Sequence, residues 1–415
     1  MYKEGHRTNP VQDRSTQVQN RGSPSRSGGA MWHWTKHYLE LYAKLNTVTA
    51  TALDSIPGLS IMRELDASPA LKEPSIAMDC LASGKAPGSD RIPPVIMKSG
   101  KPVLFQTLHE LLRLCWEQGY TPQDMRDAKI VTLYKNKGDR SDCNNYRGIS
   151  LLSVVGKVFT RVALSRLQLL DARVYPEFQC GFRPGRSTVD MIFSLRQLQE
   201  KFHEQQMPLH VVFIDLTKAV DLVTRVLIRE LLFADDTALA SHTEGGLQQL
   251  FTHFAYACTE FGLTISRGKT KLLCQSTGTL PSIVLDGYTL EVVENFTCLG
   301  SSISSSLSID SEINSRIARA ATVMAKLTQR VWNNLSLIVK TKLCVYKAYA
   351  LSTLLNGCET WTTYAGNERK LKGFHMRCLR RILQIKWQHR VPNSVVLEGS
   401  NMISLLSVLS ERRLK

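Results

Sequence analysis

Two apolar runs that end on acids constrain this chain more than any other feature. Val211-Val212-Phe213-Ile214-Asp215-Leu216 reads as a buried strand, and so does Leu231-Leu232-Phe233-Ala234-Asp235-Asp236-Thr237-Ala238-Leu239, with Asp235 twenty positions beyond Asp215. A carboxylate in apolar surroundings is costly unless it is paired or holds a metal ion. The two strands must therefore bring Asp215, Asp235 and Asp236 to a cation. Three carboxylates on two strand ends can hold two magnesium ions.

The 415 residues suffice for two or three domains with real cores. Formal net charge is +16, and it is unevenly placed: residues 301 to 415 carry 18 Lys and Arg against 6 Asp and Glu. A basic C-terminal part points to a polyanionic partner, nucleic acid first, with a merely solvated basic surface as the alternative. Ten cysteines are scattered singly without a C-x-x-C pair, which reads as reduced core thiols. Cys358, His375, Cys378 and His389 have no compact zinc-finger spacing. No apolar run reaches the roughly 18 residues of a membrane span, and the N-terminus lacks a signal-peptide core. The expectation is an intracellular protein, cytoplasmic or nuclear, with no membrane partner.

Residues 1 to 30 are polar and basic, a head too poor in apolar residues to order itself. Residues 31 to 80 read as a helical lead-in, with Trp34 and Tyr38 at helical spacing. A Gly and Pro loop, G-K-A-P-G-S-D at 84 to 90, precedes a helix around Leu108, Leu112 and Cys115 that stops near Gly119. A strand at Lys129 to Tyr134 runs into a basic turn with Lys135 and Lys137, and Arg147 precedes the next apolar segment. The Q-C-G-F-R-P-G-R-S-T run at 179 to 188 supplies Arg183 and Arg186, with Ser187 or Thr188 as helix cap.

Further along, the pattern predicts a helix from Leu247 to Phe261, strands at Leu263 to Ser266 and Lys271 to Gln275, and a hairpin turning at Asp286-Gly287. A Ser-rich loop at 301 to 308 leads into a helix through Ile313 and Met324. Arg369 to Arg390 holds eight Lys or Arg and no acid. Leu371, Phe374, Cys378, Leu379, Ile382 and Ile385 share one helical face there. Arg369, Lys370, Lys372, Arg377, Arg380, Arg381 and Lys386 lie off it, available to a phosphate backbone.

Taken in order, G-K-A-P-G-S-D, N-Y-R-G-I-S-L-L (145 to 152), Q-C-G-F-R-P-G-R-S-T, F-I-D-L-T-K-A (213 to 219) and F-A-D-D (233 to 236) resemble the reverse transcriptase of non-LTR (LINE-type) retrotransposons. G-L-T-I-S-R-G-K-T-K (262 to 271), F-T-C-L-G-S-S-I-S (296 to 304) and C-E-T-W (358 to 361) continue the resemblance, which covers roughly residues 31 to 400. It implies an α+β right-hand polymerase: fingers and a ferredoxin-like palm sheet over 81 to 293, then a mostly helical, basic, thumb-like region over 294 to 415. It further implies Asp215, Asp235 and Asp236 as ligands of two Mg2+ ions and Lys269 as the lysine that assists the leaving group. Lys129 and Arg147 resemble contacts to incoming nucleotide or template. The partners implied are an RNA template and a DNA primer, or an RNA–DNA hybrid, with oligomeric state left open.

Two departures stand out against that pattern. The segment between Asp215 and Asp235 is largely missing near 222 to 230, and Val220 stands where the family has an aromatic that excludes a ribose 2′ hydroxyl. No endonuclease domain is expected ahead of the motifs. Three readings follow: an RNA-directed DNA polymerase, a catalytically inactive relic that binds RNA or RNA–DNA hybrid, or a fragment that does not fold stably.

Overall fold

The structure is a computed structural model that describes residues 18–19, 27–43, 49–50, 54, 62–174, 178–181, 183–216, 230–233, 236–276 and 281–414. It is a mixed α+β protein. It separates into two compact units, residues 1–45 with 58–174 and residues 46–57 with 175–415.

The first unit is built on an antiparallel hairpin. Strands β2 (Ala128–Tyr134) and β3 (Tyr146–Leu152) pair from Ala128↔Leu152 to Tyr134↔Tyr146, and Val18–Gln19, strand β1, joins β2 in parallel. Side chains alternate across the sheet, so Ile130 and Tyr146 fall on one face. Trp34 and Tyr38 of helix α1 (Ser27–Ala43) cover that face, and Gly148 leaves room for the Tyr38 ring. Helices α2 (Lys72–Asp79), α3 (Lys101–Gln118) and α4 (Val154–Val174) enclose a separate core of Met78, Leu112, Val158 and Val162. Gly119 ends α3 in a left-handed conformation (φ 61°), which glycine adopts without a Cβ clash.

The G-K-A-P-G-S-D loop is a structural staple in this unit. Asp90 Oδ2 accepts the Val154 amide (2.7 Å) at the start of α4, and Lys157 donates back to the Ala86 carbonyl (2.7 Å). The loop runs so close to the chain entering α4 that a Cβ on Gly88 would overlap the Leu152 carbonyl.

The second unit centres on a five-stranded sheet in the order β10-β7-β4-β6-β5: β4 (Leu209–Asp215), β5 (Glu230–Phe233), β6 (Asp236–Ser241), β7 (Lys271–Gln275) and β10 (Glu291–Val292). Helix α5 (Thr188–Glu204) packs Met191, Ile192 and Leu195 against Val211, Phe213 and Ala238 on one face. Helix α6 (Glu244–Glu260) packs Leu247 and Phe251 against Val212, Ile214 and Leu239 on the other. Burial on both faces explains why these strands read as unbroken apolar runs instead of alternating ones. Ser187 and Asp190 form a reciprocal capping box at the start of α5. Hairpin β8 (Val284–Leu285) and β9 (Tyr288–Thr289) turns through Asp286 and Gly287, both at positive φ (46° and 77°).

A second hairpin, β11 (Asn295–Cys298) with β12 (Ser301–Ser304), stacks Phe296 on Phe213 at 4.3 Å and leads into helix α7 (Asp310–Lys326). Helices α8 (Val339–Val345), α9 (Ala365–Ile382), α10 (Asn393–Ser400) and α11 (Leu405–Arg413) complete a helical core around Tyr346, Leu354, Leu371 and Leu379.

A buried charged hub ties this helical part to the sheet side. Arg316 Nε pairs with Glu312 Oε1 (2.7 Å), and Glu312 Oε2 accepts the Ser302 amide (2.6 Å). Arg196 of α5 donates to the carbonyls of Thr360 (3.0 Å) and Ser302 (3.3 Å). Burial pulls the Arg196 guanidinium below its ordinary pKa, while the charges of Glu312 and Glu200 oppose that shift.

Three sequence expectations need correction. Residues 263 to 266 form no strand, only an isolated bridge between Leu216 and Ile265. The first half of the Ser-rich 301 to 308 segment is strand β12, because pairing with β11 overrides the weak strand preference of serine. The basic helix ends at Ile382, so Lys386 lies beyond it.

Candidate active site

Antiparallel pairing of β4 with β6 places Asp215, the last residue of β4, opposite Asp236, the first of β6. Both strands are locked by the apolar packing on their two faces, so the acids emerge together at one end of the sheet. The Asp236 charge reaches Cys298, whose thiol is pushed up to about 12 by burial first and by Asp236 second. Asp235, Val220 and the connection at 217–229 lie outside the described residues, as does most of the 1–30 head.

Lys269 completes this end of the sheet. Its Nζ lies 3.0 Å from Asp215 Oδ1 and 3.3 Å from Oδ2. The loop that carries it is tethered to the same residue: the Ser266 amide donates to the Asp215 carbonyl (2.8 Å), and the Lys269 amide closes onto the Ser266 carbonyl (3.2 Å). Local backbone geometry thus delivers the ammonium to the carboxylate. Lysine is a compact point charge on a flexible stem, suited to moving between anionic partners.

In the first unit, Lys129 and Arg147 fall on the same face of the β2–β3 hairpin, the one that α1 leaves uncovered. Ile149 (42 % exposed) lies between them, and Leu133 (51 %) stands directly across from Arg147. Lys129 also borders a cleft of about 400 Å³ with Ser89, Asp90, Asp124, Asp127 and Ser153. Lys135 Nζ is spent on the Asn144 carbonyl (2.8 Å), holding the turn, while Lys137 is exposed. Arg183 and Arg186 sit in the second unit, on the loop ahead of α5, with Arg186 exposed and Arg183 half-buried.

Helix α9 sorts its basic residues. Arg369, Lys372, Arg377 and Arg381 are exposed on the side away from Leu371, Phe374, Cys378 and Leu379. Lys370 is engaged with Asp310 (2.7 Å) at the start of α7. Arg380 is folded inward onto the Val391 carbonyl (3.0 Å) and Asn393 (2.8 Å), a structural role that helical spacing alone did not reveal.

Cys358, His375 and Cys378 belong to the helical core. Tyr346 Oη lies 2.7 Å from His375 Nδ1. Burial lowers His375 to about 4 and raises both thiols to about 11. Among the described residues, which exclude Asp235, no group of three or more His, Cys, Asp or Glu is arranged to hold a metal ion. Among the described residues, no helix is long and apolar enough to cross a membrane.

Comparison with known proteins converges on one family. Residues 134–226 match the reverse transcriptase (RNA-dependent DNA polymerase) family. The chain is 29% identical over 154 residues to a probable RNA-directed DNA polymerase from transposon BS of Drosophila melanogaster, covering 35% of this chain and 16% of that protein. It is 27% identical over 146 residues to the RNA-directed DNA polymerase from mobile element jockey of the same species, covering 34% and 15%. It is 34% identical over 114 residues to a putative 115 kDa protein in type-1 retrotransposable element R1DM, covering 26% and 11%. The chain therefore spans no more than 16% of the length of these relatives. Motif order and relatives agree: over the residues that these matches cover, the chain is similar to the reverse transcriptases of non-LTR retrotransposons.

Proposed function

We propose that the chain is an RNA-directed DNA polymerase by descent, performing template-directed nucleotidyl transfer at the Asp215 end of the sheet. The observation that carries this reading is the register of Asp215 with Asp236, with the Lys269 ammonium seated on both Asp215 oxygens. An ammonium held by a strand-end carboxylate is a stand-in for the cation such a site takes, and hard carboxylate oxygens suit Mg2+. Asp215, Asp235 and Asp236 would hold the ions, which when bound supply an activated primer hydroxyl and neutralise phosphate charge.

The chain's own residues do the rest. Strands β4 and β6 hold the acids in fixed register, so no reorganisation is needed when substrate arrives. Lys269 can donate its N–H bonds to the phosphate oxygens of a bound nucleotide. The hairpin carrying Lys129 and Arg147 serves as the fingers surface for template or nucleotide, with the apolar Ile149 between the two charges and Leu133 across from Arg147 as a platform for a base. The sheet of the second unit is the palm. The helical C-terminal part is thumb-like, with Arg369, Lys372, Arg377 and Arg381 toward the phosphate backbone.

A second reading is favoured by one feature, the 14 residues that separate Asp215 from Glu230. A connection so short is close to the ~10–12 residue minimum for a crossover and leaves little chain for a wall of the nucleotide pocket. On that reading the protein binds RNA or RNA–DNA hybrid without turnover. Primer extension on an RNA template separates the two. Incorporation by the full chain that vanishes in Asp215→Asn and Asp235→Asn supports the polymerase. Salt-dependent RNA binding without incorporation supports the inactive binder.

A further inference from the structure

Asp215 carries two independent links to one loop. Its carboxylate is bracketed by Lys269 Nζ at 3.0 and 3.3 Å, and its carbonyl holds the Ser266 amide at 2.8 Å. The lysine side chain is nonetheless 66% exposed and the aspartate 35%. The backbone tether fixes where the lysine starts, while its head group can leave without unpacking anything. A divalent cation that takes both oxygens of Asp215 competes with the ammonium for the same lone pairs, and the two positive charges repel one another at that distance. A polyphosphate offers Lys269 a stronger anionic partner within reach.

We propose that Lys269 links two ligands of this site. In the free protein it occupies Asp215 in competition with a divalent cation. A polyphosphate draws it away, so cation and polyphosphate each favour binding of the other. The inference rests on the reading of Asp215 as a metal ligand and adds the regulation of that site. Linkage is reciprocal, so the factor by which the ion pair weakens cation binding is the factor by which it weakens anion binding. A partly exposed ion pair supports a factor of about five in each direction.

The test uses the full-length chain and two arms that never mix the ligands. In the first, Mn2+ alone is titrated and free Mn2+ is read by electron paramagnetic resonance. Lys269→Met is expected to bind Mn2+ about fivefold tighter than the parent, from loss of the competing ion pair. Arg267→Met is the charge control: it removes one positive charge two residues away, where Arg267 pairs with Asp286 (3.0 Å), without uncovering Asp215. It is expected to stay within about twofold of the parent, as for an exposed surface charge. In the second arm, inorganic pyrophosphate is titrated in EDTA by calorimetry. Asp215→Asn is expected to gain about fivefold and Lys269→Met to lose binding. Circular dichroism melting checks that each variant is folded.

The proposal is overturned by parental Mn2+ affinity in Lys269→Met, by an equal gain in Arg267→Met, or by no pyrophosphate gain in Asp215→Asn. Neither arm depends on turnover, so absent primer extension leaves both readable. Absent Mn2+ binding in the parent and in Lys269→Met sinks the metal-ligand reading together with this one.

Discussion

Glu312 and Arg316 lie one turn apart on α7 and form an ion pair at 2.7 Å with both side chains buried. Glu312 also receives the Ser302 amide, and Arg196 reaches the same strand from α5. Removing one partner of such a pair leaves an uncompensated buried charge, which costs about 3–5 kcal/mol. Glu312→Gln is expected to destabilise the protein by that amount in urea melts. The double change Glu312→Gln with Arg316→Met should cost less than the sum of the two single changes. Additive costs would show that the pair is not coupled.

The pH dependence of stability should carry the signature of His375. Its imidazole titrates near 6.5 when unfolded and near 4 when folded, because burial disfavours the charged ring. The unfolded state therefore binds more protons between those values. The contribution is fully present above pH 6.5 and is lost as pH falls toward 4. Between about pH 7.5 and about pH 5 the loss should be on the order of 2 kcal/mol. His375→Gln, which keeps an acceptor for Tyr346, should flatten that slope. His210, also lowered by burial, remains in both proteins, so the difference between them isolates His375.

Gly88 is expected to tolerate no side chain. Gly88→Ala must push the loop off the Leu152 carbonyl and should cost about 1–3 kcal/mol, as overpacking does. Asp90→Ala removes the acceptor of the Val154 amide and should cost about 1 kcal/mol, as the loss of a helix cap does. Thermal melts of the two variants, with Gly84→Ala as a control in open space, check both. Equal melting of Gly88→Ala and Gly84→Ala would show that the close approach can relax.

The basic residues of α9 should divide by role in a filter-binding titration of single-stranded RNA against salt. Arg377→Ala and Arg381→Ala are each expected to reduce the slope of log affinity against log salt by about 1. Arg380→Ala should instead lower stability, since its guanidinium holds the Val391 and Asn393 turn. A slope unchanged by removing both exposed arginines would exclude this face from RNA binding.

Local signals in the sequence carried much of the fold. The strand Lys271–Gln275, the left-handed Gly119, the Ser187 cap and the Asp286-Gly287 turn are each set by residues within a few positions. The charged hub was not legible, because Arg196, Glu312 and the Thr360 carbonyl are far apart in sequence and only tertiary packing decides that these charges are buried. The Asp90 cap, 64 residues from the amide it satisfies, is hidden for the same reason. At the candidate site, Asp215 was visible as an acid ending an apolar run. Lys269 was reached only through family resemblance, since nothing in its neighbours foretells a partner 54 residues away.

The tether between Ser266 and Asp215 bears on how this site withstands changes in chain length. Lys269 is aimed by a hydrogen bond and by the Leu216↔Ile265 bridge, both seated on residues at or beside Asp215. Neither passes through the connection between β4 and β5. The pairing of ammonium and acid is thus insulated from an insertion or deletion in that connection.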